Sequence, residues 1–222
     1  MHIAILTFDG YNELDSLIAL GVLNRAGLRT SIAGPAPRVR SMNGVTIDTA
    51  IGLEQACEAD AVIIGSGIRT REVVEDAEIM EVLRGLDPNR TLLAAQCSGT
   101  LVLAKLGLLR DIPACTDLTT KPWVLAAGVE VLNKPFFARG NIATAGGCLA
   151  STYLATWIIA RLAGLEAAES AMHYVAPVGE KEEYVTRALG NVTPYLEPAG
   201  NAGEEQILVP AGFHSRSSRS EK

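Results

Sequence analysis

The sequence predicts an α/β fold: one doubly wound, mostly parallel sheet with helices on both faces. Three observations lead to it. Short β-rich runs alternate with helical patterns along the 222-residue chain, which is the order that builds βαβ units. Several of the runs, such as Ala61-Val62-Ile63-Ile64 and Leu92-Leu93-Ala94-Ala95, are apolar at every position, as strands covered on both faces should be. Glycines (Gly10, Gly27, Gly34, Gly107, Gly128) stand where the pattern changes period, the places that need helix caps and turns.

The elements follow in order. A strand is predicted over 2–7 and a helix over 12–26, closed by Gly27. Strands over 30–33 and 61–64 come next, and the second leads into a helix over 70–83. A strand over 92–96 runs into a helix over 98–108. Further strands are expected at 113–116, 129–132 and 142–144, and helices at 121–127, 148–162 and 181–189. The composition, 48% hydrophobic and 20% charged, suits one well-cored domain, expected over 1–196. From 197 onward the chain turns to Pro, Ala, Gly, Ser and charged residues, a polar C-terminal tail expected to be flexible.

The bulk properties exclude several classes. A net charge of −6 and an isoelectric point near 5.2 leave no basic stripe for phosphates, so nucleic acid is not an expected partner. The N-terminus, Met1-His2-Ile3-Ala4-Ile5-Leu6, reads as a strand without the features of an export signal, and a cytoplasmic protein is expected. Residues 142–160 are nineteen positions without a charge. Their Ala-Gly-Gly turn and their content of Ala, Ser and Thr fit a strand, a turn and a buried helix better than a membrane span. No glycine-rich phosphate-binding fingerprint and no metal-ligand spacing occurs, so neither cofactor nor metal is expected.

In open α/β sheets ligands bind at the carboxyl ends of the strands, and two of the four cysteines stand there. Cys97 follows the strand over 92–96, Cys148 follows the strand over 142–144, and each opens a helix. A helix N-terminus favours thiolate over thiol, so a lowered pKa is expected for either. Cys57 and Cys115 read as small buried hydrophobes. The strand-Cys97-Ser98-Gly99-helix turn has the form of a nucleophile elbow, yet spacing alone does not rank Cys97 above Cys148.

A resemblance ranks them. The stretch from Ala94 to Ala104, Ala-Ala-Gln-Cys-Ser-Gly-Thr-Leu-Val-Leu-Ala, with Gly107-Leu108-Leu109 behind it, resembles the elbow of the DJ-1/PfpI superfamily, where Cys97 matches the nucleophile. Leu14-Asp15, Ile63-Ile64-Gly65-Ser66-Gly67 and Asn141-Ile142-Ala143-Thr144-Ala145-Gly146-Gly147 match in the same order, so the resemblance reaches from residue 1 to about 190. It implies a flavodoxin-like sheet, as in class I glutamine amidotransferases, and a homodimer acting on a small molecule. Asp15 matches the acidic residue that hydrogen-bonds the nucleophilic sulfur. Asp in place of Glu, with a hydroxyl residue (Ser98) after the cysteine, resembles the isonitrile hydratase branch. By the same analogy Gly65, Ser66 and Gly67 would supply backbone N–H donors to a developing anion.

One departure bears on mechanism. Many members carry a His about twenty residues after the cysteine, and Asp117 stands there instead. His2 opens the first strand, His173 reads as a packed strand residue, and His214 lies in the tail. The resemblance therefore implies a hydratase or hydrolase in which Cys97 is the nucleophile, Asp15 the general acid/base and Ser98 a catalytic partner, with Asp117 at the binding site. Redox sensing through oxidation of Cys97, or a glyoxalase- or deglycase-like activity, is the alternative.

Overall fold

The computed structural model describes residues 1–196; the tail expected beyond them lies outside the described residues. In chain order the elements are β1 His2–Leu6, α1 Glu13–Arg25, β2 Arg29–Ala33, β3 Arg38–Arg40, β4 Thr46–Asp48, α2 Leu53–Ala56, β5 Ala61–Ile64, α3 Thr70–Val73, α4 Ala77–Leu83, β6 Leu92–Gln96, α5 Gly99–Lys105, α6 Lys121–Ala126, β7 Phe136–Arg139, β8 Ile142–Ala145, α7 Ser151–Ala163, α8 Leu165–Val175 and α9 Lys181–Val192.

Six strands form the main sheet in the order β2-β1-β5-β6-β8-β7. All neighbours are parallel except the edge pair β7–β8, and β3–β4 is a separate antiparallel hairpin. Alternation along each strand divides the core into two layers. Ile3, Ile5, Ala61, Ile63 and Ala94 pack with α1, α7, α8 and α9 around the fully buried Trp157. Ala4, Leu6, Val62, Ile64 and Leu93 pack on the other face against residues of α2, α4, α5 and α6. This is the doubly wound arrangement that the apolar strands predict.

Register aligns the strand ends that matter. Leu6 pairs with Ile64, Ile64 with Ala95, and Gln96 with Ala145, so the segments following β1, β5, β6 and β8 emerge side by side. The uncharged run over 142–160 becomes β8, a Gly146-Gly147 turn, a 3-10 turn at Cys148–Ala150 and α7. Among the described residues no helix is long and apolar enough to cross a membrane.

Several boundaries differ from the sequence reading. The helix expected over 70–83 is two helices, because the Asp76 side chain accepts from the Glu78 and Ile79 N–H groups and starts a new helix at Ala77. The strands expected at 113–116 and 129–132 reduce to one bridge between Ala114 and Val131. His173 is an exposed residue of α8, not a strand residue. The β3–β4 hairpin, α2, β7 and α8 were not anticipated; the first three are only three or four residues long, too short for periodicity to register.

Two glycines test the close packing at the elbow. A Cβ on Gly99 would lie 2.4 Å from the Ile64 carbonyl oxygen, whereas one on Gly21, exposed in α1, meets nothing within 4 Å. In urea denaturation Gly21→Ala is expected to stabilise the fold by about 0.5–1 kcal/mol. Gly99→Ala is expected to destabilise it by about 1–3 kcal/mol. Similar small effects from both would show that the contact to Ile64 does not constrain the elbow.

Candidate active site

The site sits where β1, β5, β6 and β8 end. The Cys97 N–H extends the ladder to the Ala145 carbonyl at 2.8 Å, and the backbone then turns sharply, with Cys97 at φ 46°. Asp111 is the other non-glycine residue with positive φ among the described residues. Such a conformation costs on the order of 1–3 kcal/mol and persists where surrounding structure enforces it. Here Gly99 lets α5 approach β5 closely, and Thr116 Oγ1 donates to the Cys97 carbonyl at 2.7 Å.

Asp15 reaches the same point from the first turn of α1. That helix is started by Asn12, whose side-chain oxygen accepts from the Leu14 N–H at 3.1 Å. Asp15 is 1% exposed, and its carboxylate accepts from the Ser66 hydroxyl at 2.5 Å and the Ser16 hydroxyl at 3.2 Å. A carboxylate oxygen of Asp15, the Cys97 Sγ and the Cys148 Sγ all lie within 4.8 Å of one another. Two thiols and a carboxylate are donor types that zinc accepts. Spacing along the chain did not reveal this grouping because its members belong to three separate elements.

The Gly65-Ser66-Gly67 turn is arranged differently from the anion-binding role expected of it. The Gly65 N–H donates to the Leu6 carbonyl at 3.0 Å, the Ser66 N–H faces Asp15, and the Gly67 N–H donates to Ser98 Oγ at 2.9 Å. All three are engaged within the protein, and the turn serves to hold Asp15. Ser98 Oγ also pairs with Thr70 Oγ1 at 2.8 Å, so its hydroxyl braces the turn. Asp117 Oδ1 accepts from the Thr119 and Thr120 N–H groups, both at 2.9 Å, shaping the loop into α6.

A cavity of about 340 Å³ opens over these residues. It is lined by Cys97, Cys148, Ser66, Gly67, Ser98, Asp117, Asn12, Thr119 and Thr120, with Met42, Ile68 and Trp123 as apolar walls. Asn12, Gln96, Met42 and Trp123 did not stand out in the sequence. Gln96 Nε2 donates to the Cys97 Sγ at 3.2 Å and to the Gly147 carbonyl at 2.8 Å, and Asn12 Nδ2 donates to the Cys148 Sγ at 3.2 Å. The sequence marks Asn12 only as the start of a helix over 12–26, and its contact with a sulfur 136 positions away has no local signal. None of these residues is an imidazole: His2 bonds Ser31 at the opposite end of β1, and His173 lies beside Glu182. Cys57 directs its thiol to the Val82 carbonyl at 3.6 Å, and Cys115 is fully buried beneath Thr144.

Electrostatics corrects the expectation of a lowered pKa at Cys97. Burial pushes the thiol up to about 12, the negative charge of Asp15 adding to the effect and the Gln96 and Gly147 donors opposing it. Burial also raises the Asp15 carboxyl to about 6, against the pull of its serine donors. Desolvation and a neighbouring like charge thus outweigh the end of a seven-residue helix. Through neutral pH the pair retains one proton.

The comparisons with known proteins give the chain its family and its fold. Residues 1–161 match the model of the DJ-1/PfpI family, and the chain belongs to that family. It is 26% identical to protein dj-1beta of Drosophila melanogaster over 167 residues, covering 73% of this chain and 89% of the fly protein. It is 23% identical to the isonitrile hydratase of Pseudomonas putida over 131 residues, covering 59% of this chain and 58% of that enzyme. Schizosaccharomyces pombe DJ-1 superposes with a TM-score of 0.71 at 15% identity, covering 80% of this chain and all of the yeast protein. Its likeness establishes the fold.

The raised carboxyl carries a stability signature. A group whose folded pKa, about 6, exceeds its ordinary 3.8 binds its proton more tightly in the native state. Its contribution is therefore lost as pH rises from about 4 to 6. Asp15→Asn removes that loss, and the variant is expected to exceed the parent by about 2–3 kcal/mol at pH 8, the gap closing below pH 4. A gap that does not change with pH in denaturant titrations would contradict a raised Asp15.

Proposed function

We propose that this DJ-1/PfpI family member hydrates a small electrophile at Cys97, with an isonitrile as substrate class and an N-substituted formamide as product. The observation that carries the reading is the buried Asp15 carboxyl, within 4.8 Å of the Cys97 sulfur and raised to about 6. A carboxyl with a pKa close to the working pH both accepts and returns a proton readily. The cavity also supports it, since apolar Met42, Ile68 and Trp123 stand over a polar floor and suit a small substrate with an apolar substituent.

The steps balance as follows. The Cys97 thiol passes its proton to the Asp15 carboxylate as the sulfur bonds the terminal carbon of R–N≡C. Asp15 delivers that proton to the same carbon, giving the thioimidate R–N=CH–S–Cys97. Water adds to this carbon as Asp15 takes one of its protons and passes it to nitrogen. Asp15 then takes the remaining O–H proton as C=O forms and the C–S bond breaks, R–NH–CHO leaves, and Asp15 returns that proton to the Cys97 sulfur. Ser66 orients Asp15 throughout. Ser98 acts as a positioning residue through Gly67 and Thr70, and Asp117 shapes the loop that borders the substrate.

A second reading, oxidation of Cys97 as a redox signal, is favoured by the donors at its sulfur. The Gln96 amide and the Gly147 N–H face it and would stabilise a sulfinate. A deglycase-like mechanism relying on a basic imidazole finds no support, because no histidine among the described residues lines the cavity.

Formamide formation from a panel of small alkyl and aryl isonitriles tests the first reading. Cys97→Ala is expected to abolish turnover, and Asp15→Asn to lower kcat by about 10²–10⁴-fold. In the parent protein kcat/KM is expected to rise with an apparent pKa near 6, as Asp15 becomes the carboxylate, and to stay level to pH 10. No turnover of any isonitrile, or full turnover by Cys97→Ala, would refute hydration; an ascending limb at pH 8–9 would refute Asp15 as proton acceptor.

A further inference from the structure

The hydration steps leave one site residue idle. Cys148 lines the same cavity as Cys97, its sulfur lies within 4.8 Å of both the Cys97 sulfur and an Asp15 oxygen, and no step above requires it. We propose that Cys148 and Cys97 form a reversible intramolecular disulfide when a peroxide enters the cavity, with Cys148 as the sulfur oxidised first. The proposal does not depend on which substrate the site turns over.

Accessibility and hydrogen bonding set the order of events. Cys148 is half-buried, whereas Cys97 is 4% exposed, so an incoming oxidant meets Cys148 first. The Asn12 side-chain amide donates to the Cys148 Sγ at 3.2 Å, and both residues line the cavity that an oxidant enters. Cys97 lines the same cavity, its backbone held by the bond from its N–H to Ala145. Cys148 follows β8 by a glycine turn in which Gly147 has φ 92°. The two sulfurs need to approach to about 2.05 Å to bond, and the 3-10 turn bearing Cys148 lies outside the sheet ladder that fixes the Cys97 backbone.

Peroxide supplies the oxidising equivalents. The Cys148 thiol passes its proton to the Asp15 carboxylate as its sulfur attacks one peroxide oxygen; the O–O bond breaks, Cys148 becomes a sulfenic acid, and the departing hydroxide takes the proton from Asp15 to form water. Cys97 then gives its proton to the Asp15 carboxylate and attacks the Cys148 sulfur. The S–OH bond breaks, the hydroxide recovers the proton from Asp15 as a second water, and the S–S bond is made. Two thiols lose two electrons in total and the peroxide gains them. The disulfide withdraws Cys97 from substrate and protects it from irreversible oxidation.

Intact mass spectrometry of the full-length protein, treated with hydrogen peroxide in the presence of a chelator, tests the proposal. The expected result is a loss of about 2 Da, reversed by dithiothreitol, with a cross-link between the tryptic peptides over 91–105 and 140–161. Cys97→Ser should instead hold a dimedone-reactive sulfenic acid at Cys148. Both Cys148→Ser and Cys148→Ala should pass to a gain of about 32 Da at Cys97, at lower peroxide than the parent protein requires. A parent protein that keeps its mass, gains about 32 Da at Cys97 as readily as the Cys148 variants do, or cross-links through Cys57 or Cys115 overturns it. Because the readout is mass, its failure is distinct from failure to hydrate isonitriles.

Discussion

Burial beside one another keeps Asp15 and Cys97 from both carrying negative charge. Either group alone, in water, would ionise at its ordinary pKa, but in a site this enclosed each charge loses hydration and opposes the other. One proton is therefore retained across the physiological range, and it rests on sulfur, since the Asp15 carboxyl is raised to about 6 and the Cys97 thiol to about 12. The surrounding structure maintains that arrangement: β1 leads into the helix that carries Asp15, the turn after β5 supplies the Ser66 hydroxyl, and the elbow after β6 presents the sulfur. β8 contributes the Gly147 N–H that faces this sulfur and, one residue later, a second thiol. Parallel register is what brings four segments distant in sequence to one end of the sheet.

The same constraint accounts for what was and was not legible in the sequence. Strands covered on both faces announce themselves by composition, and β5 and β6 fall on the residues expected, Ala61–Ile64 and Leu92–Gln96. The elbow was legible because strand, Cys-Ser-Gly and helix are contiguous. Its electrostatics were not. A helix start after Cys97 suggests a lowered pKa, while the opposing desolvation depends on how deeply Asp15 and Cys97 lie, which no local pattern encodes. The hydroxyl of Ser98 and the N–H groups of Gly65, Ser66 and Gly67 were identified as site groups, but their use as braces for one another depends on three-dimensional contacts between β5, α3 and the elbow.

Asp117 is where the sequence departs from the pattern it otherwise resembles. It stands where many members carry a histidine, and its side chain is occupied with the Thr119 and Thr120 amides at the head of α6. Among the described residues no imidazole lines the cavity, and Asp15 is the carboxyl within 4.8 Å of the Cys97 sulfur. Cys148, by contrast, was visible as a second cysteine after a strand, yet its relation to Cys97 required the β6–β8 register that places Gln96 opposite Ala145. The pair of thiols gives the cavity a chemistry beyond a single nucleophile.

The shared proton is tested most directly at the carboxyl itself. Carbon-13 NMR of aspartate-labelled protein, with the Asp15 resonance assigned by its loss in Asp15→Asn, follows its ionisation from pH 3 to 9. A midpoint near 6, with no second step up to pH 9, is the result expected if Asp15 and Cys97 hold one proton between them. A midpoint near 4, the value of an ordinary aspartate, would contradict it.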